Sequence, residues 1–411
     1  MKFSTLKLLA PLVAITVQSN SASTIIPPFL NDLHIPFAAI GSLISLNPIL
    51  ALVSRLPVGM AYRPDRARFL ISLAVGLMGI TNFLYGLVHS SLAFALVHAL
   101  NGLAYGAVTT LYMAFYVDSL APDENRNHAM GYYVGTLALG YSTGNFFGGL
   151  MADHIGYAPT FQAAAFLTLI PIALLWFLQG PSGEAGKTKQ KAAAKLTARE
   201  SFKALLEPEL AIVVVVALFL NLLHQMGGVF ISLYCISVGM TLTQIGILRA
   251  AFAGCNAVTR PISGHVVNRF GHRGLSYAGI PLQAFLLMLI PLFTGFGAIL
   301  VVYVISGVMR AIVIVANAVG LVQDVDESKV KRGLASGIYN AAGDVGNILG
   351  PSIGGLIAQA SSISGVLVGG SLGATMLFLV TTLAVRRLRP IEAVIAKGPA
   401  IEFNSKRETR N

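Results

Sequence analysis

Residues Gly337 to Gly355 read GIYNAAGDVGNILGPSIGG, and Gly131 to Gly149, 206 positions earlier, read GYYVGTLALGYSTGNFFGG. Glycines coincide at 131/337, 140/346, 144/350, 148/354 and 149/355, with Asn145 answering Pro351. Both stretches lie in apolar surroundings, where a helix must satisfy its own backbone and each glycine weakens it by about 1 kcal/mol relative to alanine. Glycine repeated at helical spacing in such a segment is a packing surface that lets a neighbouring backbone approach, and a proline there adds a tolerated bend. The later copy also holds a carboxylate, Asp344, on one face with Asn340, Asn347 and Pro351; its counterpart in the earlier copy is Ala138.

The rest of the 411 residues share that apolar character: 55% are hydrophobic, 11% are charged, and the mean hydropathy is +0.73. This is the composition of an integral membrane protein. Twelve apolar stretches are predicted to span as helices: 7–29, 37–61, 69–88, 91–117, 129–152, 160–179, 209–234, 242–267, 274–295, 298–322, 334–358 and 364–385. Each is long enough to cross a hydrocarbon core of about 30 Å. Basic residues mark every second connection: Lys2 and Lys7, then Arg63, Arg66 and Arg68, then Arg126, then Lys187 to Lys203, then Arg269 and Arg273, then Lys329 to Arg332, then Arg386 to Arg389. The intervening connections carry no Lys or Arg. The positive-inside rule therefore predicts both termini on the cytoplasmic side of a plasma (bacterial inner) membrane. The net charge of +11 belongs to those loops, so nucleic acid, which needs a basic face on a soluble domain, is not an expected partner. Cys235 and Cys255 lack metal-type or redox-type neighbours and read as packing residues; no metal and no cofactor is expected.

The whole chain repeats at about half its length. FLNDLHIPFAAIGSL (29–43) aligns without gaps to YCISVGMTLTQIGIL (234–248), RLPVG (55–59) falls on RPISG (260–264), and Gly102 falls on Gly307, all at a shift of 205. A duplicated six-span unit is the plan of transporters whose parallel halves rock about a site near the bilayer midplane. The expected organisation is a six-helix bundle over 1–179, a cytoplasmic linker over 180–208, a second bundle over 209–385 and a cytoplasmic tail over 386–411. The opening MKFSTLKLLAPLVAITVQSNSAS has the outline of a cleaved leader. The repeat, however, pairs it with the seventh span, so it is expected to belong to the fold.

After the eighth span the chain reads GHVVNRFGHR, Gly264 to Arg273. This resembles the G-x-L-A-D-R-x-G-R-R loop signature of the major facilitator superfamily (MFS): Gly264, Arg269, Gly271 and Arg273 match, and Asn268 replaces the Asp. The first-half copy, GMAYRPDRAR, keeps Gly59 and Arg68, has Arg63 at the Asp position and displaces the acid to Asp65. In the fifth span, Gly131, Gly140, Gly144, Asn145, Gly148 and Gly149 are similar to the G-x8-G-x3-G-P-x2-G-G pattern associated with antiporters of that superfamily, and Gly337, Gly346, Gly350, Pro351, Gly354 and Gly355 reproduce it in full. The resemblance covers all but the linker and tail, and is strongest to the twelve-span drug:proton antiporters. It implies an all-α integral membrane fold of 12 transmembrane helices in two six-helix halves related by a pseudo-two-fold. It also implies gating by the two loops (Gly59, Asp65, Arg68; Gly264, Arg269, Gly271, Arg273), paired glycine helices at the interface between halves, and a cavity lined by the first, fourth, seventh and tenth spans.

The polar content of those four spans agrees: Gln18 and Asn20; His98, Asn101, Tyr105, Thr109 and Tyr112; Asn221, His224 and Gln225; Tyr303, Ser306, Arg310 and Asn317. The fourth-span set recurs every three or four residues, so it shares one helical face, which suits either a wet pathway or bonds between helices. Charges inside a span are costly, by about 3 kcal/mol on insertion scales, which makes each a functional candidate. Arg310 at the middle of the tenth span is the leading substrate residue, with Arg249 further out and Arg55 and Arg260 close enough to the cytoplasmic ends to snorkel. Asp344 is the carboxylate expected at membrane depth and the candidate for proton coupling; Arg310 either pairs with it or binds an anionic group of substrate, and His98 is either a second proton-handling group or a hydrogen-bonded structural histidine.

The function expected is secondary active transport of a small organic molecule, with an anionic or zwitterionic lean from two intramembrane arginines against one acid. Proton-coupled export by rocker-switch alternating access leads, carried by a single chain in the bilayer. Uptake of an organic anion, a sugar or a metal-chelating compound is the alternative, and a transporter-like receptor is remote. An ATP-driven pump is disfavoured because no G-x4-G-K-[ST] occurs. No catalytic set of residues is recognised, so the chain is not read as an enzyme.

Overall fold

A computed structural model describes residues 3–121, 124–178, 207–325 and 332–396. The Lys-rich linker lies outside the described residues up to 206, as does the chain beyond 396. Twelve helices follow one another: α1 Phe3–Asp32, α2 Phe37–Ala61, α3 Ala67–Tyr85, α4 Ser91–Asp118, α5 Arg126–Ile155, α6 in two segments Tyr157–Leu167 and Leu169–Phe177, α7 Pro208–Ser237, α8 Leu242–Phe270, α9 His272–Leu289, α10 Phe296–Gln323, α11 Arg332–Ala360, and α12. The last begins as Ile363–Gly365, passes a π-helical turn at Val366–Gly370 and runs on as Ser371–Ala396, so the expected tail continues the helix for three turns past the apolar span.

Each helix forms because lipid offers its backbone no partner, and each stops where a polar or conformationally special residue allows it. Ser90 caps α4 by accepting from the Ala93 N–H. Thr241 and Gln244 close a capping box on α8. Gly271 ends α8 at φ +79°, a left-handed conformation that a side chain resists. Among the described residues, nine helical stretches have the length and apolar composition of a membrane span. The remaining three, α5, α8 and α11, are diluted by glycine and polar residues because much of their surface meets protein or a cavity instead of lipid.

Within the first six helices, two apolar cores form around Met78, Tyr112 and Tyr116, and around Ile25, Leu30, Phe94 and Phe161. In the last six, one larger core gathers Met226, Phe230, Leu287 and Phe378. The pair α1 and α5 is matched by α7 and α11, and the glycines of the duplicated stretch build both contacts. A Cβ on Gly144 would lie 2.6 Å from the Val17 carbonyl, and those on Gly140 and Gly148 would strike Thr16 and Ser21. On α11, Gly346, Gly350 and Gly354 are pressed in the same way against Leu218, Leu222 and Phe230 of α7.

These six glycines were expected at the interface between halves. They instead pack inside each half, because the helix face they share is the one turned to α1 or α7. The contact between halves falls to the last glycine of each motif. Gly149 meets Gly246 of α8, where an added Cβ would sit 2.7 Å from the Gly246 Cα, and Gly355 meets Gly41 of α2, 3.1 Å from its Cα. Pro351 takes part through its carbonyl, which lies against Gly41. Two equivalent helix pairs, α2 with α11 and α5 with α8, therefore join the halves.

Candidate functional site

Both seams are tight at the end of the bundle away from the chain termini. There Ser45 donates to the Ile348 carbonyl at 2.6 Å and accepts from Ser352 at 2.8 Å, while Ser142 donates to the Ala250 carbonyl at 2.9 Å and Asn145 to that of Arg249 at 3.3 Å. Thr243 adds a bond to Asp153 at 2.6 Å. Toward the termini the same helices part: a Cβ on Gly131, Gly264 or Gly337 would meet nothing within 4 Å, and one on Gly59 would touch only Thr110 of its own half at 3.6 Å. Between the closed and the parted ends lies a cavity of about 610 Å³, lined from both halves.

Of the expected cavity residues, Asn20, His98, Asn101, Tyr105, His224, Gln225 and Arg310 line it. Gln18 and Asn317 do not. Gln18 is fully buried, and Asn317, 1% exposed, donates its amide to the Val213 carbonyl at 3.0 Å and so ties α10 to α7. The stripe on α4 also divides: Tyr112 at its far end is buried and donates to the Leu8 carbonyl at 2.7 Å, a bond within the half. Spacing put these residues on suitable faces, but the position of the neighbouring helix decided which part of each face stays open.

Asn101 is held by two partners: it donates to Thr81 at 2.7 Å and accepts from Asn47 at 2.9 Å. His98 is 5% exposed, with Nδ1 2.6 Å from the Tyr85 hydroxyl and its ring stacked on Phe94, so its neighbours are those of a fixed histidine with no acid beside it. His224 lies flat against Phe252, which stacks on Tyr303 with centroids 4.6 Å apart, giving the cavity an aromatic wall.

Arg310 does not meet the internal acid, one of the two partners open to it. Asp344 pairs with Arg55 of α2, across the seam between halves, and not with Arg310. Arg310 is instead 7% exposed and fixed by neutral acceptors on α7, the Leu220 carbonyl at 2.7 Å and the Asn221 side-chain oxygen at 2.8 Å. Arg55 and Arg260 do not snorkel: both line the cavity, and so does Arg249, which donates to the Gly228 carbonyl and the Ser232 hydroxyl, each at 3.3 Å. The parted helices leave room for these side chains to turn inward toward water between the halves, which serves the charge better than the path to the membrane edge. A signal for this was present, since Arg55 and Arg260 occupy the same place in the two repeats.

The loop residues expected to gate make contacts within their own halves. Gly271 turns the chain so that His272 and Arg273 meet Asp324 at the end of α10, at 2.8 Å each. Burial raises the Asp324 pKa, but the hydrogen bonds from Arg273 and His272 outweigh it and hold the carboxyl below its ordinary value. Arg269 is exposed over the Phe270 ring. In the first half Arg68 donates to the Leu178 carbonyl at 2.7 Å, Asp65 makes an exposed contact with Arg66, and Tyr62 donates to Asp118 at 2.8 Å. Asp118 and Asp324, which were not picked out from sequence, stand 206 residues apart and are thus repeat partners. Their signal was an acid at the equivalent helix end in both halves. Among the described residues, no cluster of His, Cys, Asp and Glu is arranged to hold a metal ion.

The chain matches the family model for the Major Facilitator Superfamily over residues 8–329 and 237–407. It is 22% identical over 380 residues to an uncharacterized MFS-type transporter of Methanocaldococcus jannaschii, covering 92% of this chain and 94% of that one. It is 26% identical over 342 residues to multidrug resistance protein 1 of Bacillus subtilis, covering 80% and 83%. Against the quinolone resistance protein NorA of Staphylococcus aureus the identity is 30% over 146 residues, 35% and 36% of the two chains. Among solved structures, the fold superimposes on the nucleoside transporter NupG with a TM-score of 0.76 at 16% identity, over 94% of this chain and 99% of that one. It superimposes on a bacterial homologue of the human lysosomal transporter Spinster, inward-facing and occupied, with a TM-score of 0.72 at 16% identity, over 95% and 96%. The twelve helices, the duplicated halves and the family match together place this chain in the Major Facilitator Superfamily, whose members are membrane transporters and not enzymes.

Proposed function

We propose that the protein is a proton-coupled exporter of small organic molecules that works by alternating access, its halves 1–179 and 209–385 rocking about the central cavity and joined through 180–208. The observation that carries this reading is the Arg55–Asp344 pair. Asp344 is the one carboxylate among the residues described as lining the cavity, and it bridges the two halves at the edge of the parted region. A proton on Asp344 removes the charge that holds Arg55, which loosens the link between halves; losing the proton restores it. Proton binding and the rocking motion are then one event. His98, held by Tyr85 and Phe94, takes the structural role at the same cavity, and Arg310, Asn20, Asn101, Tyr105, His224 and Gln225 form the surface that meets substrate.

The basic loops support both termini being cytoplasmic, and on that orientation the described conformation is inward-open. Gly59, Asp65, Arg68, Gly264, Arg269, Gly271 and Arg273 then lie on the cytoplasmic rim, where the alternate, outward-open state would bring the halves together. Export is favoured over uptake by the similarity to multidrug resistance protein 1 and to NorA. One chain contains both halves and the whole cavity, which supports a working monomer.

Everted membrane vesicles with an imposed pH gradient test the reading. A panel of organic dyes should include one accumulated in wild-type vesicles only when the interior is acid, and Asp344→Asn should remove the dependence on the gradient while leaving the protein folded. Full coupling in that variant refutes the role of Asp344. Accumulation driven only by the opposite gradient turns the protein into an uptake permease.

A further inference from the structure

The two seams between halves are equivalent by sequence and unequal in charge. At a shift of 205 Arg55 becomes Arg260, and at 206 Ala138 becomes Asp344. The α2–α11 seam therefore holds an arginine with its carboxylate, and the α5–α8 seam holds an arginine with a methyl group at the place of the carboxylate. Arg260 and Ala138 both line the cavity, and the Nε of Arg260 has no hydrogen-bond partner among the described residues. The imbalance extends along one wall. Arg249, Arg260 and Arg310 all come from the second half, and the first-half residues at the corresponding places are Ile44, Arg55 and Tyr105. Arg249 and Arg310 are bonded to neutral oxygens, and the lining carboxylate is already engaged by Arg55.

Three guanidinium groups facing one cavity without a counter-charge are costly to keep away from bulk water, and an anion brought between them relieves that cost with charge-assisted, bidentate hydrogen bonds. The Phe252–Tyr303 stack, with His224 against it, offers flat apolar faces beside these charges. At about 610 Å³ the cavity suits a drug-sized molecule. We propose that the substrate is an aromatic organic anion whose carboxylate or sulfonate lodges beside Ala138 against Arg260, supplying the negative charge that Asp344 supplies in the other repeat. The substrate thereby gives Arg260 the anionic partner that its repeat counterpart Arg55 already has in Asp344. This inference rests on the transporter reading above and assigns the chemical class of its substrate.

Three probes of one shape and different charge test it: 2-naphthoate, 2-naphthol and 2-naphthylmethylammonium, titrated against the detergent-solubilised full-length protein with binding read by calorimetry. Wild type should bind naphthoate at least tenfold more tightly than either of the others. Arg260→Gln and Ala138→Asp should each weaken naphthoate at least tenfold, the second because its own carboxylate takes the place of the ligand's. Ala138→Asp should melt no lower than wild type, so that its loss of binding is not a loss of fold. Naphthoate binding no tighter than that of the other two probes, or unaffected by both charge-changing variants, overturns the proposal. If naphthylmethylammonium is the probe bound and carried by wild-type vesicles under a pH gradient, the substrate class is wrong while the proton-coupled transporter stands.

Discussion

Arg310 shows what a buried charge needs in this protein. It is held by a backbone carbonyl and an amide oxygen of the same neighbouring helix, a fixed fork that lysine does not reproduce. Arg310→Lys should leave one of these acceptors unpaired, at a cost of about 1–3 kcal/mol, seen as a lower melting temperature in detergent. Arg310→Met also removes a charge facing the cavity and should lose substrate binding outright. Asp344 behaves differently because its partner belongs to the other half. The consequence of neutralising it is expected in coupling more than in stability, and the two readouts separate the roles.

At the scale of elements, the glycine motif divides its work between two neighbours. Its earlier members set α5 on α1 and α11 on α7, and its last member in each copy sets one half against the other. Gly355→Val places a branched side chain against the α2 backbone near Gly41, where neither backbone can yield cheaply. Overpacking of this kind costs about 1–3 kcal/mol and here acts on the closed end alone. A cysteine placed at Ser45, 1% exposed in that seam, should become reactive to a bulky maleimide in the Gly355→Val background and stay protected without it. Gly337→Val is the control: it meets nothing within 4 Å in this conformation, so its melting temperature should match wild type.

Across the whole molecule, stability at the terminus-proximal face depends on pH through Asp324. Its carboxyl titrates below the ordinary value in the folded state, so the unfolded chain takes up a proton first as pH falls. The contribution is complete above the unfolded pKa of about 3.9 and is lost as pH drops through the lower folded value. Asp324→Asn should therefore lower the melting temperature at pH 7 by a few degrees, about 2–4 °C per kcal/mol for a domain of this size. The gap from wild type should close below pH about 4. A gap that stays constant between pH 7 and 3 contradicts the ion-pair account of the α9–α10 corner.

Much of this architecture was legible in the chain because lipid enforces it. Apolar length fixes spans, basic loops predict sides, and a repeat of residues at a constant shift pairs α1 with α7 and α5 with α11 before any helix is placed. Glycine spacing likewise announced close packing, but which neighbour it served depends on the rotation of each helix, and only the assembled bundle sets that. The same limit governs charge. A sequence shows that Asp344 and several arginines lie at membrane depth, and the shortest inference pairs the acid with the most central of them. The fold brings Arg55 to Asp344 instead, since α2 and α11 form a seam that a separation of 289 positions in the chain conceals. The unbalanced arginines on the opposite wall are a consequence of that choice. Composition and the repeat determined that this is a duplicated membrane bundle with few charges inside it, and tertiary packing alone decided which of them are neutralised from within.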